Sequence, residues 1–231
     1  KHHHFPEMVG FGVVFGVAVV CGLMSFVSLS RQVEPPMHRS LDTNSSPKEI
    51  AAFYKAPLVD PNFRRFLLFA GLFSAAQFFA APFYVMYALK GLKLDYTMLQ
   101  ILATLASLSS LCSMPAWGYL SDKFGNRPLL VISCFGTGLL PIAWMFSTPE
   151  YPTFSMIALV INHLAGGFFW AGVNLTQFNL LISLSPVENK HVYVGAMSAV
   201  TGAIGGTAPV VGGIVLTSLS GTHLHIGSLL L

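Results

Sequence analysis

The sequence predicts an all-α integral membrane protein, and three observations carry that prediction. The composition is 54% hydrophobic and only 9% charged, far from the balance of a soluble domain. The 12 Lys and Arg and the 9 Asp and Glu fall between long apolar runs rather than inside them. A soluble protein would mark the wet face of nearly every helix with charge. The runs themselves, 8–30, 66–89, 97–120, 128–146, 154–184 and 192–219, lie near or above the ~20 residues that a bilayer-spanning helix needs. Lipid offers the backbone no hydrogen-bond partner, so such runs are helices.

Charge also gives direction. The loops 31–65, 121–127 and 185–191 hold most of the basic residues, and the opposite side holds Lys1, Lys90 and Lys93. Positive residues stay inside, so the first set is cytoplasmic. The formal charge of +3 is explained by this bias and implies no nucleic-acid partner. Cys21, Cys112 and Cys134 all fall within spans and read as small apolar fillers. No zinc-ligand spacing occurs, and neither a metal nor a cofactor is implied.

Taken in order, residues 1–7 carry His2, His3 and His4, which read as a solvated end or a tag remnant. The run 8–30 exceeds the apolar core of a signal peptide, and Arg31 stands where small residues would mark cleavage. It is a retained helix, with Gly12 and Gly16 on a small-residue face. The segment 31–65 is a long loop punctuated by Pro35, Pro36, Pro47, Pro57 and Pro61. Within it, Ser46-Pro47-Lys48-Glu49 is a capping box with proline at the first helical position. An amphipathic helix over 47–55 follows, laying Ile50, Phe53 and Tyr54 on the membrane surface or the bundle. Asp60-Pro61 caps the helix that enters the membrane after Arg64 and Arg65.

The second span aligns Ala70, Ser74, Gln77, Ala81, Tyr84 and Ala88 within an arc of about 80°. A small and polar stripe faces protein or a water-filled cavity, not lipid, and Pro82 bends the helix. The third places Gln100, Thr104 and Ser107 on one face. Gln77 and Gln100 each read as a cavity-lining group or as an interhelical hydrogen bond.

A charged hairpin, Gly118-Tyr119-Leu120-Ser121-Asp122-Lys123-Phe124-Gly125-Asn126-Arg127-Pro128, joins the third and fourth spans. So short a link makes the two helices antiparallel, with the turn at the water interface. Gly118 allows close approach of a neighbouring helix, and Gly125 supplies the positive φ of a tight turn. Asp122 opposes the macrodipole at its helix end and seeks Lys123 or Arg127.

The fourth span, with Ser133, Gly136, Thr137, Gly138 and Pro141, reads as a scaffold. In the fifth, Trp170, Asn174 and Gln177 lie within about 40° of His163 around the helix, flanked by Gly166 and Gly167. Imidazole, indole and two amides on one face read as a surface for a small polar or mixed-character ligand, or as a hydrogen-bonded seam. An intramembrane histidine is also a functional candidate, for proton coupling or as an idle wet group. The sixth span is crowded with glycine, and Gly202-x-x-x-Gly206 offers a close-packing face.

The hairpin spacing Gly-x-x-x-Asp-x-x-Gly-x-Arg, carried by Gly118, Asp122, Lys123, Gly125 and Arg127, resembles the cytoplasmic loop signature of the major facilitator superfamily of transporters. Asn126 stands where that family usually has a second basic residue. The resemblance implies that the spans correspond to helices six to eleven of a twelve-helix fold. Residues 1–30 would be the last helix of the N-terminal half, 31–65 the central cytoplasmic loop, and 66–231 the C-terminal bundle. It implies no enzymatic activity but alternating-access transport of a small molecule, with cavity candidates Gln77, Tyr84, Gln100, His163, Trp170, Asn174 and Gln177 and a closure secured by the hairpin. The implied setting is the plasma (inner) membrane, and the implied partners are the substrate, the lipid and an N-terminal half of the same transporter. The chain would then be a fragment, or would work as two copies. The alternative is a receptor-like or scaffold-like membrane protein on the same fold.

Overall fold

The computed structural model describes residues 7–32 and 46–221, and every regular element among them is helical. The histidines at 2–4, the prolines at 35–36 and the tail 222–231 lie outside those residues. Contacts divide the chain into two units, 1–40 and 41–231. In the first, α1 (Glu7–Leu29) is one continuous apolar helix. It closes as the Ser30 N–H donates to Phe26 O (2.9 Å) and its hydroxyl to Val27 O (2.9 Å).

The second unit runs α2 (Pro47–Val59), α3 (Pro61–Met86) with a π-helical turn Tyr87–Gly91, α4 (Tyr96–Phe124), α5 (Asn126–Phe146), α6 (Pro152–Leu184), a 3₁₀ turn Val187–Asn189 and α7 (Lys190–Gly221). Six helices, α1 and α3 to α7, are long and apolar enough to cross a membrane. Their apolar side chains extend onto the outer surface, where Leu68, Leu72, Val131, Phe135 and Ile161 are exposed. A surface of that kind suits lipid, not water.

The helix starts follow the local chemistry. The Ser46 hydroxyl accepts from Glu49 N–H (3.3 Å) while Glu49 accepts from Ser46 N–H (2.7 Å), closing the capping box of α2. Asp60 accepts from the Asn62 and Phe63 N–H groups at the head of α3. Asp95 accepts from Met98 N–H (2.7 Å) at the head of α4. The helix expected over 47–55 continues to Val59, through Pro57. A proline inside a helix removes one backbone bond. Here its ring is fully buried, and that packing offsets the loss. Of the apolar trio on α2, Phe53 packs on the His191 ring (centroids 5.7 Å), while Ile50 and Tyr54 stay exposed.

Packing is set by where backbones approach. α6 lies against α4 and α5, and α3 pairs with α7. A Cβ at Gly167 would sit 2.0 Å from the Ala106 carbonyl oxygen, and one at Gly172 would strike the Trp117 indole at 2.7 Å. These two glycines hold α4 and α6 together, and Trp117 Nε1 donates to Phe168 O (2.8 Å) across the same seam. On the α3–α7 side Gly212 has the equivalent role, since a Cβ there would meet Phe79 O at 2.5 Å. The expected close-packing pair, Gly202 and Gly206, meets nothing within 4 Å, and neither does Gly118. Spacing marks which glycines share a face but not which face finds a partner. A core of Phe63, Phe66, Leu67, Ala70, Leu130, Val173, Leu181, Tyr193 and Met197 joins α3, α5, α6 and α7.

The end of α3 is wider than an α-helix. The Leu92 N–H reaches back to Tyr87 O (3.0 Å), and the Tyr87 hydroxyl donates to Ser147 O (2.6 Å) at the end of α5. Gly91 is required there, because a Cβ would lie 2.7 Å from the Tyr87 ring.

Candidate functional site: a cavity between α3, α4, α5 and α6

An open cavity of about 770 Å³ lies among α3, α4, α5 and α6. Gln77 and Tyr84 reach it from α3, Ser107 and Ser110 from α4, Thr137 and Trp144 from α5, and His163 and Trp170 from α6. Two smaller recesses adjoin it. One, about 310 Å³, shares Gln77 and Trp170 with the first and adds Ser74, Gln177 and Thr201. The other, about 520 Å³, shares Tyr84, Trp144 and His163 and adds Tyr96 and Gln100. Small side chains and glycines on facing helices leave the space, and aromatic rings border it.

Aromatic rings form its two ends. The Trp144 ring lies against Tyr84 (centroids 5.2 Å) and meets the His163 ring edge-on (6.0 Å). Trp170 packs on Phe73 (5.9 Å). His163 Nδ1 lies 2.7 Å from the Leu159 carbonyl oxygen. A carbonyl oxygen only accepts, so Nδ1 carries the proton and Nε2 is the acceptor of the neutral ring. Asn162 is buried beside this group. With its amide nitrogen toward Leu140 O (2.9 Å), its oxygen accepts the Trp144 indole N–H (3.2 Å). The indole N–H is thus committed to Asn162, itself part of the cavity lining.

The polar groups of the wall divide into two kinds. Ser107 and Thr137 bond back to carbonyls of their own helices, Ser107 to Ala103 O (3.0 Å) and Thr137 to Cys134 O (2.9 Å). The Gln77 amide, the Tyr84 hydroxyl and His163 Nε2 make no hydrogen bond among the described residues. Groups of the second kind, on helices that cross the membrane, need water or a ligand.

The structure therefore gathers Gln77, Tyr84, His163 and Trp170 around one cavity, with Gln177 and Gln100 at the adjoining recesses. Asn174, on the same line of α6, is exposed and borders none of these spaces. Gly166 opens onto the cavity, but Gly167 makes room for the α4 backbone. Trp144 and Asn162 escaped the sequence analysis. α5 read as a scaffold because its polar residues are few, although its indole faces the His163 ring.

The α4–α5 hairpin is even tighter than the sequence suggested. Gly125, at φ 83°, is the one residue between the helices. Asp122, Lys123 and Arg127 are exposed, and Asp122 forms no ion pair among the described residues. Lys123 Nζ instead lies over the Phe124 ring (5.3 Å to the centroid). Asn126 ties the turn down, accepting from the Ser121 hydroxyl (2.5 Å) and from the Asn179 amide of α6 (3.2 Å). The position where the signature departs from its usual basic residue is thus the one that anchors the hairpin to the bundle.

The sequence pattern of the Major Facilitator Superfamily matches residues 5–209. No curated protein and no solved structure compared with the chain matches it significantly. Six membrane-length helices, the hairpin signature and this match place the chain in the Major Facilitator Superfamily, as an integral membrane protein of a family that transports small molecules.

Proposed function

We propose that the chain supplies one wall of an alternating-access transporter for a small molecule, with the α3–α6 cavity as part of the translocation path. The observation that carries this reading is a cavity of about 770 Å³ between membrane-spanning helices, bordered by Gln77, Tyr84 and His163 with unused hydrogen-bonding atoms. A second six-helix unit faces the open side and completes the site, since alternating access needs two bodies that rock about it. The loops 31–65, 121–127 and 185–191 face the cytoplasm by the positive-inside bias, in the plasma (inner) membrane. The exposed Asp122, Lys123 and Arg127 then meet the facing unit when the cytoplasmic side closes, which fits their lack of a local ion pair.

The test is uptake of a panel of radiolabelled solutes by vesicles holding the complete transporter. Trp170→Ala should lower uptake about fivefold or more, with insertion and expression unchanged, since truncating a central aromatic contact costs more than ~1 kcal/mol. Asp122→Asn should reduce uptake more than insertion. Uptake no greater than in protein-free vesicles for every solute class would sink the transport reading. Normal uptake by a well-inserted Asp122→Asn variant would remove the closure role.

A further inference from the structure

No carboxylate, ammonium or guanidinium group borders the cavity. The linings of the 770 Å³ space and of the adjoining 310 and 520 Å³ recesses contain no Asp, Glu, Lys or Arg. An ion entering would lose hydration with no carboxylate, ammonium or guanidinium of this wall to pair with it. The rings of Trp144, Trp170, Tyr84 and His163 share the border with neutral amide and hydroxyl groups and with small or aliphatic residues. His163 and Trp170 stand seven residues apart on α6, two turns, or about 10 Å along the axis. That axial spacing matches the long dimension of a flat system of two or three fused rings. At the Trp144 end, beside the Tyr84 hydroxyl, the His163 Nδ1–H is committed to Leu159 O (2.7 Å), which leaves the Nε2 of the neutral ring as an acceptor.

We propose that this cavity selects an uncharged, flat aromatic ligand that donates one hydrogen bond to His163 Nε2 and lies lengthwise between the Trp144 and Trp170 ends. The proposal deepens the transport reading and rests on it for the cavity's role. Aromatic borders also attract organic cations. A lining without carboxylates, with a donor-seeking imidazole at its end, favours the neutral molecule.

The probe is tritiated 2-naphthol, bound to the protein in nanodiscs, with binding to empty nanodiscs subtracted. The unlabelled competitors are 2-naphthol, 2-methoxynaphthalene, 2-naphthalenesulfonate and (2-naphthylmethyl)trimethylammonium. The sulfonate and the ammonium should compete at least about tenfold less well than naphthol. The methoxy compound, which lacks the donor, should be weaker by about five- to tenfold, the worth of one hydrogen bond. His163→Ala should erase the naphthol–methoxy difference and leave the discrimination against ions. His163→Gln, which restores an acceptor, should recover part of that difference and shows that the alanine result is not loss of fold. Gly138→Leu should reduce saturable binding, because a Cβ there meets nothing within 4 Å and the added side chain fills the cavity without disturbing the helices.

Ions that compete as well as naphthol, or an absence of saturable naphthol binding, would overturn the ligand class. A naphthol–methoxy difference that survives in His163→Ala would overturn the hydrogen bond. The transport reading fails separately: naphthol that binds selectively but is never moved across vesicles contradicts transport alone, whereas uptake of a charged solute without naphthol binding contradicts the ligand class alone.

Discussion

Asn126 shows how one side chain can replace a salt bridge. An Asp–Arg pair at an exposed turn contributes little, because water screens both charges. The Asn126 carbonyl oxygen instead receives two donors, Ser121 from the preceding helix and Asn179 from α6. Asn126→Ala should lower stability by about 1–2 kcal/mol, the net value of two neutral hydrogen bonds, read as a lower thermal midpoint in detergent. Asp122→Asn should leave that midpoint unchanged. An unchanged Asn126→Ala midpoint would show that the turn is held by packing alone. The hairpin's residues and its glycine were legible in the sequence, since a positive φ at Gly125 follows from the shortness of the link. The partner of Asn126 was not, because Asn179 lies 53 positions away and no local pattern encodes such a pairing.

At the scale of the helix, the two glycine-containing seams decide how α4 meets α6 and how α3 meets α7. Gly167 and Gly138 make a clean contrast. Gly167→Ala would drive a methyl into the Ala106 carbonyl, while a methyl on Gly138 touches nothing. Forced overpacking costs about 1–3 kcal/mol, and a change at an open position stays within about 0.5 kcal/mol. Thermal or SDS-titrated unfolding of the two variants checks this, and equal loss of stability would refute the seam. Apolar length, caps and turn residues gave the elements themselves: α2 and α3 begin at the expected Ser46 and Asp60. Two features went unseen. The widened turn Tyr87–Gly91 depends on Tyr87 reaching Ser147, and the persistence of α2 through Pro57 depends on burial. Both are tertiary overrides of local propensity.

For the molecule as a whole, the sequence displays which residues share a helix face, and the assembly decides which faces meet. Gln77, Tyr84, His163 and Trp170 come together because α3 and α6 turn those faces toward one space. Asn174, equally well aligned on α6, is left outside it. Trp144 was hidden because a single indole in an apolar run gives no periodic signal. If the cavity is part of a translocation path, Gln77 looks into water within the membrane, while Phe135, 69% exposed, looks into lipid. The direct measurement is thiol labelling in intact membranes with a small, membrane-impermeant reagent. Cys21, Cys112 and Cys134 are first replaced, and one new cysteine is placed at either position. Gln77→Cys should react at least about tenfold faster than Phe135→Cys, because thiolate forms in water and hardly at all in hydrocarbon. Equal rates, or faster labelling at position 135, would contradict that reading.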